Sequence, residues 1–272
     1  MTLAVGRLLL VGCGKMGRAM AQGWLDTGLD PDNLAAVEPH VATAEIARHL
    51  GIHAVSDPTE LAGDFMPDWV VLAIKPQVFA EVAPKFAGYA GISTYLSVVA
   101  GKPVAALRAL VGDRAAIVRA MPNTPAAIRR GMSVAFAGSR VKAEAKVACT
   151  ALLGAVGEVA WIEDEAMMDA VTAVSGSGPA YVFLLIEAMA DAAVAAGLPQ
   201  DLAVTLAHNT VAGAGELALG SDNTAATLRR NVTSPGGTTE VALKVLMADG
   251  GLPDLMEKAV AAATARSREL AG

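Results

Sequence analysis

Cysteine, histidine, aromatic side chains and runs of positive charge are all scarce in this 272-residue chain. There are two cysteines, Cys13 and Cys149, far apart in sequence. They match neither a disulfide framework nor a zinc spacing, and a reducing compartment is the simpler reading. The four histidines are His40, His49, His53 and His208. His49 and His53 have the spacing of helical neighbours, but Gly51 lies between them. Zinc requires three or four convergent ligands, so no metal site is expected. Basic residues occur singly or in short pairs such as Arg129-Arg130 and Arg229-Arg230, and the net charge is -6. That balance argues against a nucleic-acid partner.

Long apolar runs are also lacking. The longest uncharged stretch, Ala170 to Ile186, is slightly short for a membrane span and is interrupted by Ser-Gly-Ser-Gly-Pro. The start, MTLAVGRLLLVGCG, has no basic leader and no small-residue cleavage site. It leads directly into a glycine turn and reads as a strand, not as a signal peptide. A soluble, cytoplasmic protein without a membrane segment is expected.

What the chain has is apolar mass. Hydrophobic residues make up 54% and charged residues 18%, enough for a sizeable core and unlike a disordered chain. Aromatics are only 4%, while alanine and glycine are abundant, a composition that favours closely packed helices. Residues 1–163 alternate short apolar runs with amphipathic stretches, the pattern of a parallel sheet with crossover helices. The strand runs are RLLLVG, NLAAVE, DWVVLAIKP, STYLSVVAG, RAAIVRAMPN, GMSVAFAG and GEVAWIE. After Glu163 the strand signal ends. Residues 164–272 read as an all-helical domain whose helices are apolar around much of their circumference, so dimerisation through this half is expected. The fold class is α/β: an N-terminal doubly wound sheet of the Rossmann type, then a helical dimerisation domain.

Gly12-Cys13-Gly14-Lys15-Met16-Gly17 is GxGxxG, set between a strand run and a helix run as a dinucleotide site requires. Gly12 suits the tight turn, Gly14 admits a pyrophosphate, and Gly17 lets helix and strand approach. The helix N-terminus would face the anion. Glu38 ends the second strand run, where an acid binds the adenine ribose hydroxyls and repels a 2'-phosphate. This leans toward NADH, while His40 could accommodate the phosphate of NADPH.

Other candidates lie at strand ends. In AIKPQ, Ala73 is small and Pro76 stiffens the turn; Lys75 could meet the cofactor or be a solvated lysine. VVAG, Val98 to Gly101, gives a similar small wall. In RAMPNTPA, Asn123 and Thr124 are functional candidates or simply satisfy turn backbone groups. SGSGPAY, Ser175 to Tyr181, opens the long helix, and its glycines suit close packing of a helix or of a substrate. Glu187 and Asp191 share a helix face and read as solvated before they read as an acid-base pair. SPGGTTE, Ser234 to Glu240, puts two glycines and three hydroxyls at the start of a helix. It is either an anion site for a carboxylate or a capped loop.

VGCGKMGRAM, AIKPQ, RAMPNTPA, DAVTAVSGSGPAYVFLLIEAMADAAVAAGLP and NVTSPGGTTE, in this order over nearly the whole chain, resemble pyrroline-5-carboxylate reductase. The resemblance implies reduction of L-1-pyrroline-5-carboxylate to L-proline by NADPH or NADH, the last step of proline synthesis. It also implies a Rossmann domain with a helical domain that interlocks with a second subunit; many members assemble further into decamers. By resemblance, Gly12, Cys13, Gly14, Lys15, Met16 and Gly17 hold the pyrophosphate. Ala73, Lys75, Pro76 and Ala100 line the nicotinamide half, and Asn231 lies near the cofactor. Ser234, Gly237 and Thr238 meet the substrate carboxylate, Thr239 approaches the ring nitrogen as the catalytic candidate, and Glu165 matches an acid near the bound proline. Family members vary at the positions of Glu38-Pro39-His40, so cofactor preference stays open. Beta-hydroxyacid dehydrogenases share the two-domain plan but resemble one another in a lysine on the long helix, which this chain lacks. A non-catalytic dinucleotide sensor would need no carboxylate clamp.

Overall fold

The computed structural model describes residues 5–271; the first four residues of the apolar start lie outside the described residues. Two compact units are formed, one by the chain up to Gly176 with the closing segment from Thr264, the other by Ser177–Ala263.

The first unit is built on eight strands: β1 Leu8–Val11, β2 Leu34–Val37, β3 His53–Val55, β4 Trp69–Leu72, β5 Thr94–Ser97, β6 Ala116–Met121, β7 Gly131–Ala137 and β8 Gly157–Ile162. Their order in the sheet is β3-β2-β1-β4-β5-β6-β7-β8. Within the first unit the helices are α1 Lys15–Asp26, α2 Val41–His49, α3 Phe79–Val82, α4 Val104–Val111, α5 Ala143–Gly154 and α6 Met168–Val171. Strand β3 was not among the expected strands. It is only His-Ala-Val, too short for alternation to mark it.

The period of two decides the layering. Leu8, Leu10, Ala36, Val71, Leu96 and Val118 face one side, against Met20 and Trp24 of α1 and Leu152 of α5. Leu9, Val11, Val37, Val70, Tyr95 and Ile117 face the other, against Phe79, Phe86 and Leu107. Both faces are covered, which is why the strands are apolar throughout. The polar tips of the buried aromatics Trp24 and Tyr95 are satisfied: the Trp24 indole donates to Leu152 O at 2.9 Å and the Tyr95 hydroxyl to Phe86 O at 2.6 Å.

One pairing departs from the expected parallel sheet. β6 and β7 run antiparallel. The connection from Met121 to Gly131 contains one short 3-10 turn, Thr124–Ile128. A parallel return needs a crossover of roughly a dozen residues or more, and this link is too short for one.

Strand β8 ends at Ile162, beside the change of pattern at residue 163, whereas the compact units part after Gly176. The intervening residues bond back into the first unit. Glu165 pairs with Arg119 at 3.1 Å, and Asp169 accepts from Ser267 at 2.7 Å. SGSGP lies where the helical course changes: α6 is followed by a π turn at Thr172–Gly176, Ser177 is a bend, and the next helix starts at Gly178.

The second unit carries α7 Gly178–Ala195, α8 Gln200–Leu219, α9 Ala225–Asn231, α10 Thr238–Leu246 and the first part of α11 Leu252–Ala271. Helices α7 and α8 pack on each other through small residues, with Ala190, Ala203 and Ala207 buried. Around them Phe183, Leu184, Leu217, Leu219, Val241 and Val245 are exposed. A monomer leaves this apolar surface in water, the mark of a face made for another protein surface.

Candidate active site

The sheet order places a topological switch between β2-β1 and β4-β5, where open α/β sheets bind ligands beyond the carboxyl ends of their strands. Gly12 follows β1 at that switch. Its amide donates to Val37 O at 2.9 Å, and its φ of 89° is a left-handed value that favours glycine. The Ala73 amide donates to Val11 O at 2.8 Å, which sets the end of β4 beside the loop.

The three glycines of the loop differ in what requires them. A Cβ on Gly12 would lie 2.8 Å from Ala73 O, and one on Gly17 would lie 2.2 Å from Gly12 O. Both are glycine because the chain itself crowds them. A Cβ on Gly14 would meet no protein atom within 4 Å, and Gly14 has an ordinary extended φ of -65°. Nothing in the protein explains a glycine there, while a pyrophosphate lying against the loop does. Gly14 is also the N-cap of α1, and no side chain caps that helix, so its first amides remain available to an anion. The residues present therefore fit a dinucleotide. Lys15 is exposed and Met16 half-buried beside them.

Glu38 is buried, and both of its oxygens hold backbone. Oε2 accepts the Cys13 amide at 2.8 Å and Oε1 accepts the His40 amide at 3.0 Å. The acid thus fastens the glycine loop to the end of β2. Cys13 lies under the loop, and burial, with Glu38 adding to it, pushes its thiol up to about 11. It stays a neutral thiol at physiological pH and is no nucleophile.

Further along the same edge, Lys75 is exposed ahead of the 3-10 turn Pro76–Val78, with Pro76 at its first position. Ala100 is exposed just after β5, whose end is set by the Val98 amide donating to Leu72 O at 3.0 Å. The first unit so gathers Gly12 to Gly17, Glu38, Ala73, Lys75, Pro76 and Ala100 along one edge of the sheet.

Glu165 belongs to this unit too. Its Oε1 accepts from the Val104 amide at 2.8 Å and from Arg119 Nη1 at 3.1 Å. Arg119 is 6% exposed, a cation buried inside β6. Sequence reasoning missed it, although the signal was present: an arginine within AIVRAM faces a core and needs a partner. Asn123 bonds only backbone and a neighbouring hydroxyl. Its amide donates to Ser175 O at 3.2 Å and to Ser175 Oγ at 3.4 Å, and its oxygen accepts the Met132 amide at 2.8 Å. It pins the π turn, so the turn-satisfying alternative describes it. Glu187 and Asp191 are exposed on α7.

In the second unit the SPGGTTE segment joins α9 to α10. The Gly237 amide closes a turn on Ser234 O at 3.0 Å, and a Cβ there would lie 3.1 Å from the same oxygen. Gly236 has a left-handed φ of 72°. Gly237 is the N-cap of α10 and no side chain caps it, although Ser234, Thr238 and Thr239 are all at hand. The side-chain cap that an ordinary capped loop would place on Gly237 is absent. Glu240 does not fill the place either. Its Oε2 accepts the Gly236 amide at 2.6 Å and its Oε1 lies 3.1 Å from Lys244. These two partners, the amide first, hold its carboxyl below the usual range. The helix keeps uncapped amides at its N-terminus with hydroxyls around them, and the Glu240 carboxylate stands in its first turn. Asn231 is exposed at the end of α9.

A family profile described as pyrroline-5-carboxylate reductase dimerisation matches residues 165–270, and one described as NADP oxidoreductase coenzyme F420-dependent matches residues 7–101. A pyrroline-5-carboxylate reductase of Pseudomonas aeruginosa is 41% identical over 99% of this chain and 98% of its own length. The chain belongs to the pyrroline-5-carboxylate reductase family. The solved structure of the Coxiella burnetii reductase has a TM-score of 0.92 at 34% identity, covering 98% of this chain and 99% of that one. That of Plasmodium falciparum, solved with NADP bound, has a TM-score of 0.84 at 30% identity and covers 98% of each. Membership makes this chain an oxidoreductase that reduces pyrroline-5-carboxylate with a reduced nicotinamide dinucleotide, NADPH or NADH. The match to a dimerisation domain supports oligomer formation.

Proposed function

We propose that the chain carries out the last step of proline synthesis by dividing the work between two anion-holding helix starts. The N-terminus of α1, opened by Gly14, takes the cofactor pyrophosphate. The N-terminus of α10, opened by Gly237, takes the carboxylate of L-1-pyrroline-5-carboxylate. The observation that carries this reading is the uncapped start of α10, with three unused hydroxyl residues around it.

Gly12 to Gly17 form the cradle, with Cys13, Lys15 and Met16 contributing backbone and stem. Glu38 acts on the cofactor through the loop that it fastens. Its two oxygens each hold a backbone amide, and the cofactor is NADH or NADPH. Ala73, Lys75, Pro76 and Ala100 line the nicotinamide half, and Asn231 is a further cofactor candidate. When bound, the reduced nicotinamide supplies the hydride that adds to the imine carbon.

The chain supplies the rest. Ser234, Thr238 and the Gly237 end of α10 orient the substrate carboxylate through hydroxyls and amides. Thr239, half-buried, meets the ring nitrogen. A threonine hydroxyl is too weak an acid to be a good proton donor at neutral pH. Its role is to accept the N–H of an already protonated imine, or to relay a proton from water as nitrogen basicity rises. Glu165 stands on the substrate side, anchored by Arg119. Orientation of hydride acceptor and carboxylate supplies much of the rate.

The active form is a homodimer built through the helices of 164–272, extended to a decamer, in the cytoplasm. The helical stretch Glu165–Ala195 is long and apolar enough by composition to cross a membrane, with a mean hydropathy of 1.4 over an 18-residue window. The dimerisation profile over 165–270 supports a partner subunit on its apolar face. The test is loss of reduced-nicotinamide absorbance with pyrroline-5-carboxylate, run in parallel with NADH and NADPH. Turnover with both is expected; a folded, cofactor-binding protein that turns over neither refutes the reading.

A further inference from the structure

At the edge of the sheet opposite the glycine loop, the first unit has a cavity of about 400 Å³. β4, β5 and β6 run parallel to β1. Thr94 and Ala116, which begin β5 and β6, are paired and lie at the far end of the strands from Gly12, Ala73 and Ala100. The cavity is lined by these strand starts and by the start of α5.

Three cations converge on it: Arg114, Arg140 and Lys142, against one carboxylate, Glu144. Among the described residues none of the three cations has an ion pair or a side-chain hydrogen bond. Some other cations of the unit are paired. Arg119, Arg129 and Lys146 each have a carboxylate oxygen within 4.0 Å. On a chain of net charge -6, three exposed cations around one hollow, with Glu144 as the one carboxylate in its lining, leave a local excess of positive charge.

The backbone adds to the positive field. Lys142 is the N-cap of the 12-residue helix α5, which has no side-chain cap. Its first-turn amides have no helical acceptor and the positive end of its dipole lies at the cavity. Gly91, at φ 88°, sits under Arg114. A Cβ there would come within 3.3 Å of the arginine Cβ, so glycine leaves room for the stem. One wall is apolar, with Ile92 63% exposed beside Ala116.

We propose that this cavity binds a small organic phosphate at a place separate from the site of reduction. Two arginine forks and a helix N-terminus match the oxygens of a phosphate dianion. The volume exceeds what orthophosphate fills and lies at the lower end of small-molecule sites, and the apolar wall suits a short organic body.

The test is calorimetry on the holoenzyme saturated with NADPH, so that the nucleotide site is filled. The titrants are ribose 5-phosphate, orthophosphate, citrate and, as an uncharged control, ribose. Saturable binding of ribose 5-phosphate is expected, tighter than orthophosphate and citrate, with none for ribose. Arg114→Gln and Arg140→Gln each weaken it at least tenfold, while Glu144→Gln strengthens it severalfold by removing the opposing charge. Turnover of pyrroline-5-carboxylate without the phosphate is unchanged in all three variants, which also shows that they fold. Absence of saturable binding, binding untouched by both arginine variants, or tighter binding of citrate than of ribose 5-phosphate overturns the proposal.

Discussion

The carboxylate of Glu38 accepts the backbone amide of Cys13 at 2.8 Å, so the acid that ends β2 holds the glycine loop that follows β1. The same side chain accepts the His40 amide at 3.0 Å. An acid at this position would otherwise be read as a ribose ligand that selects NADH. With two amides on it, its first effect is on the shape of the loop. Glu38→Ala is expected to raise the KM for NADH and NADPH together, on the order of tenfold, since a buried charge-assisted hydrogen bond is worth about 1.5–3 kcal/mol. Steady-state kinetics with both cofactors checks this. A rise for NADH alone, with a fall for NADPH, would return Glu38 to the ribose.

The glycines of the loop separate fold from binding. Gly14→Val should fold normally, because a Cβ there meets no protein atom within 4 Å, and should lose cofactor affinity by about a hundredfold or more by blocking pyrophosphate approach. Gly17→Ala should instead lower stability by about 3 kcal/mol, because its Cβ would press on Gly12 O. Calorimetry and thermal unfolding on both variants separate the two effects. Undiminished affinity in Gly14→Val would contradict the assignment.

Much of this loop was legible in sequence, because strand, glycines, helix and acid each leave a local mark. So was the change from alternating strands to helices near residue 163, and the SPGGTTE segment with its surplus of glycine and hydroxyls. What sequence hid was tertiary. The direction of β7 depends on the length of one connection, and the π turn at Thr172–Gly176 depends on Asn123 reaching Ser175 from another strand's end. Glu165 was singled out by resemblance, but its partner Arg119, 46 residues away, was not.

That ion pair gives a stability prediction. Glu165→Ala leaves the Arg119 guanidinium buried without a counter-charge, which should cost about 3 kcal/mol in addition to any loss of turnover. Denaturant unfolding measures it. An unchanged midpoint would mean that the pair contributes nothing to the fold.

The exposed helices of the second unit make a prediction about assembly. Phe183 and Leu184 are 60% and 64% exposed on α7. Leu184→Asp places a charge in the apolar face and should shift the protein toward monomer in sedimentation velocity, with activity falling in step. Retention of the wild-type sedimentation coefficient would place the subunit contact elsewhere.

The central claim is that the open start of α10 holds the substrate and that Thr239 meets its nitrogen. The most direct measurement is steady-state turnover of pyrroline-5-carboxylate by wild type, Thr239→Ser and Thr239→Val, with cofactor affinity determined alongside by calorimetry. Thr239→Val should lower kcat by roughly a hundredfold, the lower end of what a positioned proton-handling group contributes. Thr239→Ser should recover most of it, and cofactor affinity should stay constant across the three. Equal turnover by Thr239→Val and wild type would contradict the account and remove Thr239 from the reaction.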